Sequence, residues 1–119
     1  MKVRVISQDA NGNNITNETL EVRSWRKLKD LLQEEEAAFA QAEEKFTGEG
    51  NTPFEFYGPV TGAKWELQGS IKVVDESTGA EYYWTGDDFD PIGDAQNINI
   101  TESLSNSLYD KTLRLVESL

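Results

Sequence analysis

Four aspartates fall within eight residues of the segment YYWTGDDFDPIGDAQN: Asp87, Asp88, Asp90 and Asp94. Carboxylates at that density can coordinate a hard cation, share protons as an acid–base pair, or present fixed negative charge to a basic partner. Calcium requires about six to eight oxygens, held by alternating side chains around a sharp glycine turn. With Asp88 at the first position of such a loop, Asp90 falls at the third and Gly93 at the sixth. Ile92 then occupies the fifth position and Asn99 the twelfth, where a side-chain oxygen and a bidentate Glu belong, and Pro91 stiffens the loop at the wrong place. A calcium-binding domain is therefore the third reading of the chain, and no metal ligands are assigned.

Catalysis has few groups to draw on. The chain contains no His and no Cys, which removes imidazole and thiolate nucleophiles, bases and zinc ligands together. A carboxylate pair can do acid–base work only where its surroundings push the two pKa values apart, and nothing in the sequence marks a deep cleft. The expectation is a non-enzymatic protein without a cofactor.

Fixed charge is the use that remains. The net charge is -11, and it is unevenly spread. Residues 1–29 carry six basic and three acidic side chains, whereas residues 30–119 carry five basic and nineteen acidic ones. From Val73 to Asp110 there is no Lys or Arg against nine acids. Such a surface repels phosphates, so direct nucleic-acid binding is not expected, and it attracts a basic protein partner. The expected partner-binding residues are Asp87, Asp88, Asp90 and Asp94, with Phe89 as an aromatic anchor among them and Glu34, Glu36 and Glu44 contributing from a neighbouring helix. Trp65, Tyr82, Tyr83 and Trp84 lie close in sequence. In a strand, Tyr82 and Trp84 share one face and Tyr83 takes the other. One set belongs to the core; the second is either covered as well or exposed beside the acids.

The elements that must position these residues are legible from periodicity. Lys2–Ser7 alternates, with Val3 and Val5 on one face, and Thr19–Arg23 alternates with Leu20 and Val22 inward. QDANGNN between them carries the Asn11-Gly12 turn signal, so an N-terminal β-hairpin with a loop longer than two residues is expected. Ser24 can cap a helix beginning at Trp25. Trp25, Leu28, Leu32, Phe39, Ala42 and Phe46 then recur at three-four spacing, as far as the stop at Thr47-Gly48.

On the helix Asp30, Glu34 and Glu44 project opposite the apolar stripe, Glu36 and Glu43 flank it, and Glu35 lies within it. The reading of Glu35 is a stripe-edge residue with its carboxylate reaching water; the alternative is a stretch open to a partner. Arg26, Lys27 and Lys29 in the first turns, and Glu43 and Glu44 near the end, oppose the helix macrodipole. Those charges are not placed for helix stability, which favours an external role.

Short strands are expected at Phe54–Tyr57, Lys64–Leu67, Ser70–Asp75 and Glu81–Thr85, with a hairpin loop over Asp75–Gly79. The acidic segment reads as turns, one after Gly86 and another at Asp90-Pro91. Asn97–Ile100 reads as a short strand, and Thr101 caps a C-terminal helix, with residues 112–116 able to form a strand instead. The architecture is thus α+β: an N-terminal β-hairpin, one long amphipathic helix, then an antiparallel sheet and a C-terminal helix, in a single domain over residues 1–119. β-Grasp domains also start with a hairpin followed by a helix.

No apolar run reaches membrane-spanning length, and the alternating N-terminus reads as a strand rather than a leader. The absence of Cys fits a reducing, cytoplasmic setting. The expected function is that of a small acidic inhibitor which occupies a basic nucleic-acid-binding surface, for instance on a nuclease. It would be a nucleic-acid mimic of the anti-restriction or anti-CRISPR type, by analogy with small acidic viral proteins. The alternative is a structural or assembly subunit of a larger particle, in which aromatic faces build a homo-oligomer and acidity serves solubility.

Overall fold

The computed structural model of the protein describes residues 1–48 and 53–98. The elements are β1 (Lys2–Gln8), β2 (Asn14–Glu21), α1 (Trp25–Lys45), β3 (Phe56–Tyr57), β4 (Lys64–Trp65), β5 (Ser70–Asp75), β6 (Glu81–Trp84) and β7 (Phe89–Pro91). Five strands make an antiparallel sheet in the order β2-β1-β5-β6-β7, while β3 and β4 form a separate two-stranded ribbon. The fold is α+β, with an N-terminal hairpin and with the long helix where the periodicity places it; the second hairpin strand, expected at Thr19–Arg23, instead starts at Asn14 and stops at Glu21.

The hairpin loop spans residues 9–13, with Gly12 at φ 82°. The Asp9 carboxylate accepts from the amides of Asn11 and Asn13, both at 2.9 Å. Backbone hydrogen bonding, from Asn13 above all, holds its pKa below the ordinary carboxylate value.

Alternation along β1 sends Val3, Val5 and Ser7 to the inner face. Register then pairs Val5 with Val73 of β5, and Val73 with Tyr82 of β6, so an apolar row crosses the sheet. The stripe of α1 lies on that row. Leu28 and Leu32 are fully buried against it, a burial that contributes about 1.5–3 kcal/mol for each such side chain. Trp25 meets Tyr82 and Phe89 edge-on with ring centroids 5.1 Å apart, and Phe39 stacks against Trp65 near the other end. The helix begins as expected, with Ser24 Oγ accepting from the Lys27 amide at 3.1 Å.

Several expected strands are shorter in the structure. Phe54–Tyr57 reduces to β3 and Lys64–Leu67 to β4, because Leu67 enters a turn closed by the Gly69 amide on the Glu66 carbonyl. One strand was not anticipated. Asp90-Pro91, read as the start of a turn, belongs to β7, where Asp90 faces Tyr83 and Pro91 faces Tyr82. Proline is tolerated there because β7 is an edge strand, whose outer side needs no donor. Asn97 and Ile98 are not in a strand. The remainder of that expected strand, the C-terminal helix and the alternative strand at 112–116 lie outside the described residues.

Candidate functional site

The carboxylates occupy three distinct environments. Glu35 is 2% exposed, which overturns its reading as a stripe-edge side chain reaching water. Its Oε2 accepts from the amides of Val60 and Thr61 at 3.0 and 2.9 Å, and its Oε1 from Thr61 Oγ1 and Trp65 Nε1 at 2.6 and 3.2 Å. A buried anion is tolerated when hydrogen bonds replace its hydration, and these four donors do so. Gly58 packs so closely that an added Cβ would collide with Glu35 Oε1 and Thr61 Oγ1. Glu35 therefore fastens the residue 58–63 loop, and β4 behind it, to the helix. With every lone pair directed at its own chain, it offers nothing to a ligand.

The β6–β7 turn is the second environment. Gly86 adopts φ 108°, and the Thr85 amide bonds the Asp88 carbonyl. Thr85 Oγ1 accepts from the Asp88 amide and lies 3.0 Å from Asp87 Oδ1, while Asp88 Oδ1 accepts from the Phe89 amide. Asp87 and Asp88 thus cap their own turn, as the turn reading anticipated, and still expose their carboxylates. β7 then carries Asp90 out along an extended strand instead of curling it around a common centre. Among the described residues, no group of three or more carboxylates is placed to hold a metal ion.

The sheet sorts the expected partner-binding residues. Asp87, Asp88 and Asp90 are exposed at one end, and Glu36 joins them: its Oε1 would stand 3.5 Å from a Cβ placed on Gly86. Asp94 is exposed in a turn at the other end of β7, beside Thr78–Glu81 of the β5–β6 hairpin, so the four aspartates are not one cluster. Glu34 and Glu44 are exposed on α1, and at 100° per residue Glu34 points away from Glu36. Phe89 is corrected: it is 3% exposed and packs on Trp25 and Trp84, so it is a core residue and not an anchor. Its neighbour Asp90 takes the outward position because the two alternate along a strand. Tyr82 and Trp84 are buried, whereas Tyr83 is 40% exposed and pairs across the strands with Asp90.

The third environment, not anticipated from the sequence, is a groove of about 360 Å³ between α1 and the β4–β5 connection. Phe39, Trp65 and Trp84 line it, and Glu36, Glu43 and Glu66 stand around it. Glu66 is paired with Lys64 Nζ at 2.9 Å; this hydrogen bond raises the lysine pKa above its ordinary value. Glu36 and Glu43 have no ion-pair partner among the described residues. The two tryptophans differ. Trp65 Nε1 donates to Glu35, but Trp84 Nε1 is buried without a hydrogen-bond partner among the described residues, although Trp84 is only 8% exposed. A buried donor left unmatched costs about 1–3 kcal/mol. The adjoining Glu66–Gly69 turn holds Gln68 at φ 62°, the only non-glycine positive φ among the described residues. The sequence signal for this site was available in Glu36, Ala40 and Glu43, which repeat at i, i+4 and i+7 beside the apolar stripe.

No helix among the described residues is long and apolar enough to cross a membrane. Comparison of the chain with protein-family models, curated proteins and solved structures finds no match.

Proposed function

We propose that this is a small, non-enzymatic binding protein whose acidic end docks on a basic face of a partner protein, one that otherwise holds nucleic acid. In this reading it is an inhibitor acting in the cytoplasm as a nucleic-acid mimic, of the anti-restriction or anti-CRISPR kind. The observation that carries the proposal is the display of Asp87, Asp88 and Asp90, all exposed, at one end of the sheet, with Glu36 of the helix beside the turn at Gly86. The turn that presents Asp87 and Asp88 is closed by its own Thr85 bonds, so the charge is held in place without a counter-ion. Charge displayed in this way steers association and confers specificity, and it is screened by salt.

The test is affinity capture on the immobilised full chain at low and at high salt, with mass spectrometry of the eluate, followed by titration of the purified partner. The expected result is a basic nucleic-acid-handling protein that elutes with salt and competes with its own nucleic acid. Replacing Asp87, Asp88 and Asp90 with Asn together should weaken binding at least tenfold. Unchanged affinity in that variant would remove the assignment. A concentration-independent homo-oligomer with no basic partner would favour the assembly-subunit reading instead. A melting temperature shifted by calcium and restored by EDTA would favour the calcium reading, since a ligand of the native state must stabilise it.

A further inference from the structure

We propose that the outer edge of β2 is a self-association surface. A second copy of this chain lays its own β2 against it, antiparallel and centred on Thr19, and the two five-stranded sheets become one. The inference does not rest on the partner reading above. β2 and β7 are opposite edges of the sheet, so the pairing leaves Asp87, Asp88 and Asp90 free on both copies.

The two edges are finished differently. β7 is three residues long and carries Pro91, and shortness and proline both keep an edge from pairing. β2 runs for eight residues with no Pro and no Lys. Its one irregularity is the register shift opposite Ser7 and Gln8, at its start. Asn17, Glu18 and Thr19 are exposed in succession along it.

Register fixes which backbone groups that edge presents. Met1 and Val22 exchange both of their hydrogen bonds, and bonded and non-bonded pairs alternate along an antiparallel ladder. Asn17, Thr19 and Glu21, opposite Ile6, Arg4 and Lys2, are therefore the residues whose N–H and C=O point away from β1. The Glu76 amide, which donates to the Lys2 carbonyl from the β5 side, agrees with that phase. None of the three outward amides has an acceptor among the described residues. Another extended backbone is the complement of such an edge.

A second copy fits that requirement in one register. Centred on Thr19, the seam sets Thr19 against Thr19 and Asn17 against Glu21 in bonded pairs, closing about six hydrogen bonds. Glu18 then faces Leu20, so no like charges stand directly opposite. Centred on Glu18 instead, the two Glu18 carboxylates would oppose each other, which is destabilising. A shift towards Asn14 would meet the irregular start of the strand. Charge also favours this edge: residues 1–29 hold six basic against three acidic side chains in a chain of net charge -11, and Lys2 and Arg4 stand beside β2 on the adjoining strand.

The experiment is sedimentation equilibrium of the full chain over about a hundredfold range of concentration, with amide exchange read by NMR at both ends of that range. The expected result is a reversible dimer. The amides of Asn17, Thr19 and Glu21 should exchange at least tenfold more slowly at high concentration, while those of Ser77 and Thr78 in the β5–β6 loop stay unchanged. Thr19→Lys and Thr19→Glu each place like charges at the centre of the seam, from an exposed position, and should each weaken the dimer at least tenfold. A mixture of the two variants should pair again. Asp87→Asn with Asp88→Asn should alter dimerisation less than twofold.

A chain that stays monomeric throughout, a dimer indifferent to charge at residue 19, or a mixture that pairs no better than its components would overturn the proposal. So would protection of the three amides that does not vary with concentration, because another segment of the same chain would then cover the edge. If capture of a basic partner fails while the dimer behaves as described, the proposed function is wrong and the β2 seam stands. The reverse result removes the seam alone.

Discussion

Glu35 and Asp88 carry the same functional group and do opposite work. Glu35 is enclosed by four donors drawn from residues 60, 61 and 65. Asp88 satisfies a single amide, that of the next residue, and leaves the rest of its carboxylate to solvent. The difference lies in how far each hydrogen bond reaches along the chain. A carboxylate whose donors are 25–30 residues away ties elements together and belongs to the fold. One whose donor is adjacent shapes only its own turn and remains free for an external role.

This contrast makes measurable claims. The largest effect is expected for Glu35→Leu, which leaves four donors without an acceptor. Each buried donor that stays unmatched costs about 1–3 kcal/mol, so the variant should lose at least about 3 kcal/mol in urea unfolding. Gly58→Ala strikes the same contact from the other side and should cost about 1–3 kcal/mol through overpacking. Combined with Glu35→Leu it should cost less than the sum, because both changes disrupt the same contact between the loop and the helix. Full additivity would show that the loop is not fastened through Glu35.

At the other pole, replacing Asp87, Asp88, Asp90 and Asp94 singly with Asn should each change stability by about 0.5 kcal/mol or less, whatever it does to partner binding. A larger loss at Asp90 would mean that its pairing with Tyr83 matters to the sheet. The smallest effect concerns Asp9, whose folded pKa lies below its ordinary value of 3.8. A depressed carboxylate stabilises the native state above its unfolded pKa, and that contribution is lost as pH falls through the folded value. Asp9→Asn should therefore be felt slightly at neutral pH and vanish in the acid limb of a pH–stability curve.

The hairpin and the helix were legible because their signals are local: alternation over residues 2–7, a cap at Ser24, and three-four spacing from Trp25 to Phe46. β7 was missed because DFDP carries two acids and a proline, the composition of a turn, and only pairing with β6 makes it a strand. The same omission placed Phe89 outside, since its inward direction follows from alternation within β7. For Glu35 the helical projection pointed the right way, into the stripe. Its burial stayed hidden because the donors that compensate it sit in GPVTG and at Trp65, with no sequence pattern linking them to the helix. The groove needed two distant segments to be brought side by side. The density of aspartates was legible, but not their division between the two ends of β7.

The bonds of Glu35 also set a timetable. The Val60 side chain is 57% exposed in a connecting turn, and by surface exposure alone its amide would trade hydrogen for deuterium within moments. That amide and its neighbour at Thr61 end on a carboxylate seated in the core. They should instead exchange at the pace of the slowest helix amides, through global opening. A surface turn keeping the clock of the interior would report, residue by residue, that the residue 58–63 loop and the core come apart as one unit.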